Sequence, residues 1–176
     1  MNKVLNLISR DMSDYLTSHC HTIGKVIDKV QDGPFAGCTN FYADAPTEAL
    51  LLYLKNKIEE GYNKELIPTY SFWRTYYKGQ SCPPHKDRES CEVSVTLCLG
   101  KSDSNNNWGI YVEGKEFVLE EGQGVIYKGC EQEHWRNDLE YDWHTQVFLH
   151  YIEKEGKYDP MFKYDKRHFL YADPVG

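Results

Sequence analysis

The stretch CPPHKDRESCEVSVTLCL, residues 82–99, read together with GQGVIYKGCEQEHWRND at 122–138, decides how this chain folds and what it holds. Side chains two apart in an extended strand project to the same face, so His85 and Asp87 can offer an imidazole and a carboxylate to one point. His134 follows a short apolar strand at an expected loop edge and supplies a second imidazole. Two histidines and one carboxylate on one side of a metal leave the opposite positions open, a donor set that suits Fe(II). The His-x-Asp spacing alone is a weak signal, because seven histidines and twelve aspartates in 176 residues give about half an accidental match per chain. Context strengthens it: a Gly and a Pro-Pro bend precede the pair, and a β-rich stretch separates it from His134.

Outward from this stretch the hydrophobic period is two. TYSFWRTYYK (69–78), CEVSVTLCL (91–99), WGIYV (108–112), KEFVL (115–119), GVIYK (124–128) and HTQVFLHYI (144–152) are β-branched and aromatic runs bounded by Gly, Pro, Asn and Asp. Glu113-Gly114 is placed to close a hairpin between two of them. Upstream the period is helical: Val4, Ile8, Met12, Tyr15, Leu16, Ile23, Val26, Ile27 and Val30 predict one or two amphipathic helices broken near Gly24. Residues 31–45 read as loop. A second helix opens at Pro46, carries its apolar face from Leu50 to Ile58 and is expected to end at Gly61. Helices followed by many short strands predict an α+β fold, an antiparallel sandwich or barrel buttressed by the N-terminal helices. One domain is expected over 1–176, with a helical part at 1–62, a β core at 66–153 and a tail at 154–176. The tail is aromatic but aperiodic, and is expected to lie over the body or meet a partner.

Composition narrows the class. An apolar fraction of 40% with 27% charged residues is that of an ordinary globular protein, and no run approaches the roughly 20 apolar residues of a membrane span. Arg10 and Asp11 interrupt the start before a signal-peptide core can develop, so a cytoplasmic location is the expectation. A net charge of -7 gives no reason to expect non-specific nucleic-acid binding. Six cysteines without CxxC spacing read as reduced, buried apolar residues. His19, Cys20 and His21 are adjacent, but neighbours on a helix diverge around its axis and make a poor metal site.

These residues resemble a family. The stretch 70–152 is similar to the double-stranded β-helix (jelly-roll, cupin-like) oxygenases that use Fe(II) and 2-oxoglutarate, and within them to the prolyl 4-hydroxylase-like branch. Tyr76 and Gly79 of YYKGQSCPPHKD look like the tyrosine and glycine ahead of that family's His-x-Asp, and LEEGQGVIYKGCEQEH (119–134) looks like its glycine, apolar strand and distal histidine. The resemblance implies His85, Asp87 and His134 as metal ligands and O2 and 2-oxoglutarate as co-substrates. It further implies hydroxylation of a C–H bond, of a prolyl residue in a peptide or protein, with release of succinate and CO2. One departure matters: about ten residues after the distal histidine the family places a Lys or Arg for the far carboxylate of 2-oxoglutarate, and here stand Trp143 and His144. Arg74, Arg88 and Arg136 are the nearby cations. Arg74 shares strand parity with Tyr76, so Arg74 and His144 jointly, with the Tyr76 hydroxyl, are the expected contacts. His144, Gln146, Phe148 and His150 alternate along the last strand, and for His150 a core-lining role is expected. Tyr127, Trp135 and Arg136 should border the pocket, while Lys86 and Arg88 read as rim groups.

Two other readings compete: a cupin-like metal protein without 2-oxoglutarate chemistry, and a degenerate peptide-binding module. A second cation in the pocket separates the oxygenase from the first, and metal binding separates it from the second.

Overall fold

The computed structural model describes residues 2–170. Ten strands form two facing antiparallel sheets. The larger contains β1 (Lys3–Asn6), β2 (Thr39–Tyr42), β3 (Leu66–Tyr77), β5 (Val93–Lys101), β8 (Gln123–Tyr127) and β10 (Trp143–Glu153), in the order β1-β8-β5-β10-β3-β2. The smaller contains β4 (Cys82–His85), β6 (Ile110–Val112), β7 (Lys115–Phe117) and β9 (His134–Arg136), in the order β4-β9-β6-β7.

The period of two sorts each long strand between two cores. Trp73 on β3, Val95 and Leu97 on β5, and Val147 and Leu149 on β10 point away from the small sheet, into a cluster with Leu16 and Cys20 of α1 (Arg10–Ile23) and Leu51, Leu54 and Ile58 of α2 (Ala45–Tyr62). The alternate residues Phe72, Arg74, Tyr76, Gln146, Phe148 and His150 face inward. Helices covering one face and a second sheet covering the other explain why β5 is buried along its whole length.

Three local expectations change. The N-terminal helix does not include Val4: Ser9 caps α1, its hydroxyl accepting from the Met12 N–H at 3.3 Å, and the residues ahead of the cap form β1 against β8. Four residues before a cap gain more from ladder hydrogen bonds than from a helix they cannot close. The expected loop at 31–45 contains β2, which extends the sheet beside β3. Gly61 does not end α2. The cap is Asn63 in the left-handed region (φ 64), while Gly61 leaves room for the Leu5 side chain of β1, whose Cδ1 would lie 2.6 Å from an added Cβ. The expected hairpin forms, with positive φ at both Glu113 and Gly114 and Val112 opposite Lys115.

All six cysteines are free and five are buried. No helix among the described residues is long and apolar enough to cross a membrane. The tail lies over the body as far as it is described: Asp165 accepts two bonds from Arg88 at 2.9 and 2.7 Å, and buried Arg167 meets Thr69 O and Glu48 at 3.0 Å. The last part of the expected tail, 171–176, lies outside the described residues.

Candidate active site

β4 and β9 bring His85 and His134 opposite each other, with a register shift between Cys82 and His85 that leaves Asp87 just beyond the strand end. The Asp87 N–H is fixed by Gly129 O at 2.9 Å. Glycine is required there, because a Cβ would stand 2.3 Å from Ser94 Oγ and 2.7 Å from Asp87 Oδ2. His85 Nε2 lies 3.5 Å from one Asp87 oxygen and His134 Nε2 3.5 Å from the other. The three ligand atoms fall within 4.8 Å of one another.

Both imidazoles are oriented in the same way. His85 Nδ1 sits 2.8 Å from Pro83 O and His134 Nδ1 2.9 Å from Gln132 O. A carbonyl can only accept, so each Nδ1 carries a proton and each Nε2 is the ring atom turned to Asp87, the one that would give its lone pair to a metal once its own proton is displaced. Local charge favours a cation at this point. The hydrogen bond with Asp87, then the Cys82 thiol, push His85 up to about 10. Burial raises the Asp87 carboxyl, but bonds from His134 and His85 outweigh it and hold that group well below the usual range.

Behind the triad lies a cavity of about 220 Å³, in which Asp87 is the sole acidic lining residue. Two guanidiniums line it. Arg136, two residues beyond His134 on β9 and so on the same face, is 4% exposed; its Nη1 donates to Trp108 O at 3.0 Å and its Nη2 to Gln146 Oε1. Its Nε and the Gln146 Nε2 have no partner. Arg74 is half-buried, donates to Tyr76 Oη at 3.3 Å, lies 3.8 Å from the Phe35 ring centroid and 5.0 Å from that of Phe72, and also leaves Nε unpartnered. Among the described residues neither guanidinium has a carboxylate within salt-bridge reach. A buried cation costs several kcal/mol unless an anion compensates it, and burial is what lowers the pKa of Arg136.

The remaining expected residues separate. Tyr76 is fully buried beside Arg74, its ring 5.0 Å from Trp108. His144 is buried opposite Tyr76 but does not line the cavity; neither ring nitrogen has a partner, and burial, then Arg136 and Lys101, keep it far below its ordinary pKa. Arg74, Tyr76 and Arg136 line the cavity, and His144 stands apart from it. His150 does line the cavity, its Nδ1 3.0 Å from Ser94 Oγ, which reaches Asp87 Oδ2 at 3.4 Å. Tyr127 packs on His134 at 4.8 Å, and Trp135 stacks on Tyr111 with its edge on the cavity. Lys86 is exposed, and Arg88 turns to Asp165. His19 and His21 diverge to Asp44 and Thr145, with Cys20 in the core. Sequence reasoning gives Arg136 as one of several nearby cations and as a residue bordering the pocket, and Gln146 only as one of the alternating residues of the last strand; strand parity with His134 is the signal that singles out Arg136.

No protein-family model and no curated protein matches this chain. Solved structures do. A viral collagen prolyl hydroxylase from Paramecium Bursaria Chlorella virus-1, in complex with 2OG, is similar with a TM-score of 0.65 at 10% identity over 85% of this chain and 94% of its own. A Pseudomonas putida prolyl-4-hydroxylase is similar with a TM-score of 0.66 at 15% identity over 87% and 92%. HygX from Streptomyces hygroscopicus, with nickel and 2-oxoglutarate bound, gives 0.65 at 12% identity over 87% and 83%. This chain therefore has the double-stranded β-helix fold of the 2-oxoglutarate oxygenases, with its helices against the large sheet.

Proposed function

We propose that the protein is an Fe(II)- and 2-oxoglutarate-dependent dioxygenase that hydroxylates a C–H bond, with a prolyl unit of a peptide or protein as the reacting group. One observation carries this reading: two imidazole Nε2 atoms and a carboxylate, each side chain fixed from behind, converge at the wall of a cavity that also holds a buried guanidinium without a counter-charge. A cupin-like metal site without 2-oxoglutarate gives no reason for that guanidinium.

The donor set fits ferrous iron, since two imidazoles and one carboxylate on one side leave room for further ligands. Bound iron, with 2-oxoglutarate and O2 as co-substrates, would supply the oxidising chemistry, one oxygen atom going to the substrate C–H bond and the other to succinate as CO2 is released. The chain's own work is positional. His85, Asp87 and His134 hold the metal, and the carbonyls of Pro83 and Gln132 keep the imidazoles in the required tautomer. Arg136 and Gln146, with the free Nε and Nε2 donors between them, would receive the far carboxylate, with the Tyr76 hydroxyl close by. Phe72 and Phe148, ring centroids 6.0 Å apart on neighbouring strands, give a saturated ring an apolar surface and exclude water from it. No step asks the chain for a general base or nucleophile. The prolyl assignment rests on this apolar surface and on the prolyl hydroxylases among the similar folds.

Anaerobic addition of Fe(II) and 2-oxoglutarate should give a weak visible charge-transfer band that is lost in His134→Ala and Asp87→Ala. A band that survives both substitutions, or never forms in the wild type, overturns the reading. Succinate release stimulated by prolyl peptides tests the substrate.

A further inference from the structure

The charges around the cavity do not balance, and the residue left over says something about the substrate. Granting the dioxygenase reading above, on which this step rests, Fe(II) brings two positive charges, Asp87 one negative, 2-oxoglutarate two negative and Arg136 one positive. These cancel with neutral imidazoles. Arg74 remains. It lines the same cavity, Asp87 is the sole acid lining that cavity, and no carboxylate among the described residues reaches the Arg74 guanidinium. The Phe35 and Phe72 rings, at 3.8 and 5.0 Å, offset part of the cost of its burial but accept none of its hydrogen bonds in the plane of the guanidinium. Its Nε has no partner.

The two arginines differ in depth. Arg136 is buried between Trp108 and Gln146, whereas Arg74 is half-buried, so Arg74 is the guanidinium nearer to solvent. Beside it lie the half-buried rings of Phe72 and Phe148, which suit an apolar body.

We infer that Arg74 binds a carboxylate of the substrate, and that the substrate is an apolar ring or short chain bearing its own free carboxylate. For a prolyl substrate this narrows the peptide or protein named above to its C-terminal residue, or replaces it by the free imino acid. An internal residue of a polypeptide has only a neutral amide at that place and leaves the guanidinium uncompensated.

The test uses full-length protein loaded with Co(II) and N-oxalylglycine, an unreactive analogue of 2-oxoglutarate, so that binding is read without turnover. Calorimetry compares L-proline with L-prolinamide, and a short peptide ending in proline with its C-terminal amide. At least a tenfold preference for the acid is expected in one of the two pairs, and which pair shows it distinguishes a free imino acid from a chain terminus. Arg74→Gln should bring that acid down to the affinity of its amide while N-oxalylglycine binding stays within about threefold of wild type; Arg74→Lys should recover part of the preference. Equal binding of acid and amide, or no binding of any of the four at millimolar concentration, overturns the inference. So does an Arg74→Gln protein that loses N-oxalylglycine as strongly as Arg136→Gln does, since Arg74 would then serve the co-substrate. Failure of N-oxalylglycine to bind the metal-loaded wild type counts against the dioxygenase reading itself, which separates the two claims.

Discussion

The two ends of the cavity are built on opposite plans. At the metal end, every polar atom that does not point at the metal position is satisfied: the imidazole Nδ1 atoms by carbonyls, the Asp87 N–H by Gly129 O, and Asp87 Oδ2 within reach of Ser94. At the arginine end, Arg74 Nε, Arg136 Nε and Gln146 Nε2 are buried donors with no acceptor. Buried polar groups are almost always paired, so such a cluster of unmet donors in one cavity is a specification for an anionic ligand. One end is preorganised by what it has, the other by what it lacks.

The sharpest way to break this comparison is to remove the unmet charge. Arg136→Met should weaken 2-oxoglutarate binding by about a hundredfold, the worth of a charge-assisted contact. The same substitution should raise the melting temperature of the ligand-free protein, because an uncompensated buried cation is replaced by an apolar side chain of similar length. A lower melting temperature without ligand would mean that the guanidinium is a structural strut. Gly129→Ala probes the satisfied end. Its Cβ would meet Ser94 Oγ, Cys91 O and Asp87 Oδ2 at 2.3, 2.6 and 2.7 Å, so it should cost about 1–3 kcal/mol in urea unfolding and weaken Fe(II) binding by displacing the carboxylate. The smallest effect belongs to Ser94→Ala, which removes the hydroxyl between His150 and Asp87. Metal affinity should fall about tenfold with little change in stability, and an unchanged affinity in a Mn(II) titration would show that this contact does not orient the ligand.

Legibility differed between these ends for physical reasons. The triad could be read because strand parity is local: His85 and Asp87 share a face through their spacing alone, and His134 follows a recognisable apolar strand. The arginine end could not, because Arg74, Arg136, Gln146 and His144 all have the parity or position to face inward, and only the folded structure shows that the first three line the cavity while His144 does not. The same holds for elements. The long strands and α2 announce themselves by period, whereas β1 and β2 are four-residue segments whose hydrogen bonds come from β8 and β3, so nothing within them distinguishes strand from helix or loop.

By itself, then, the sequence determined the α+β class, the inward and outward faces of the long strands, and which three side chains are of metal-ligating type at workable spacing. These follow from periods of two and 3.6 residues, which each segment carries without its neighbours. Tertiary structure alone decided which guanidinium is buried without a counter-charge, which histidine is buried off the cavity, and why residue 129 must be glycine. Charge compensation and steric room depend on atoms that are distant in the chain and close in space.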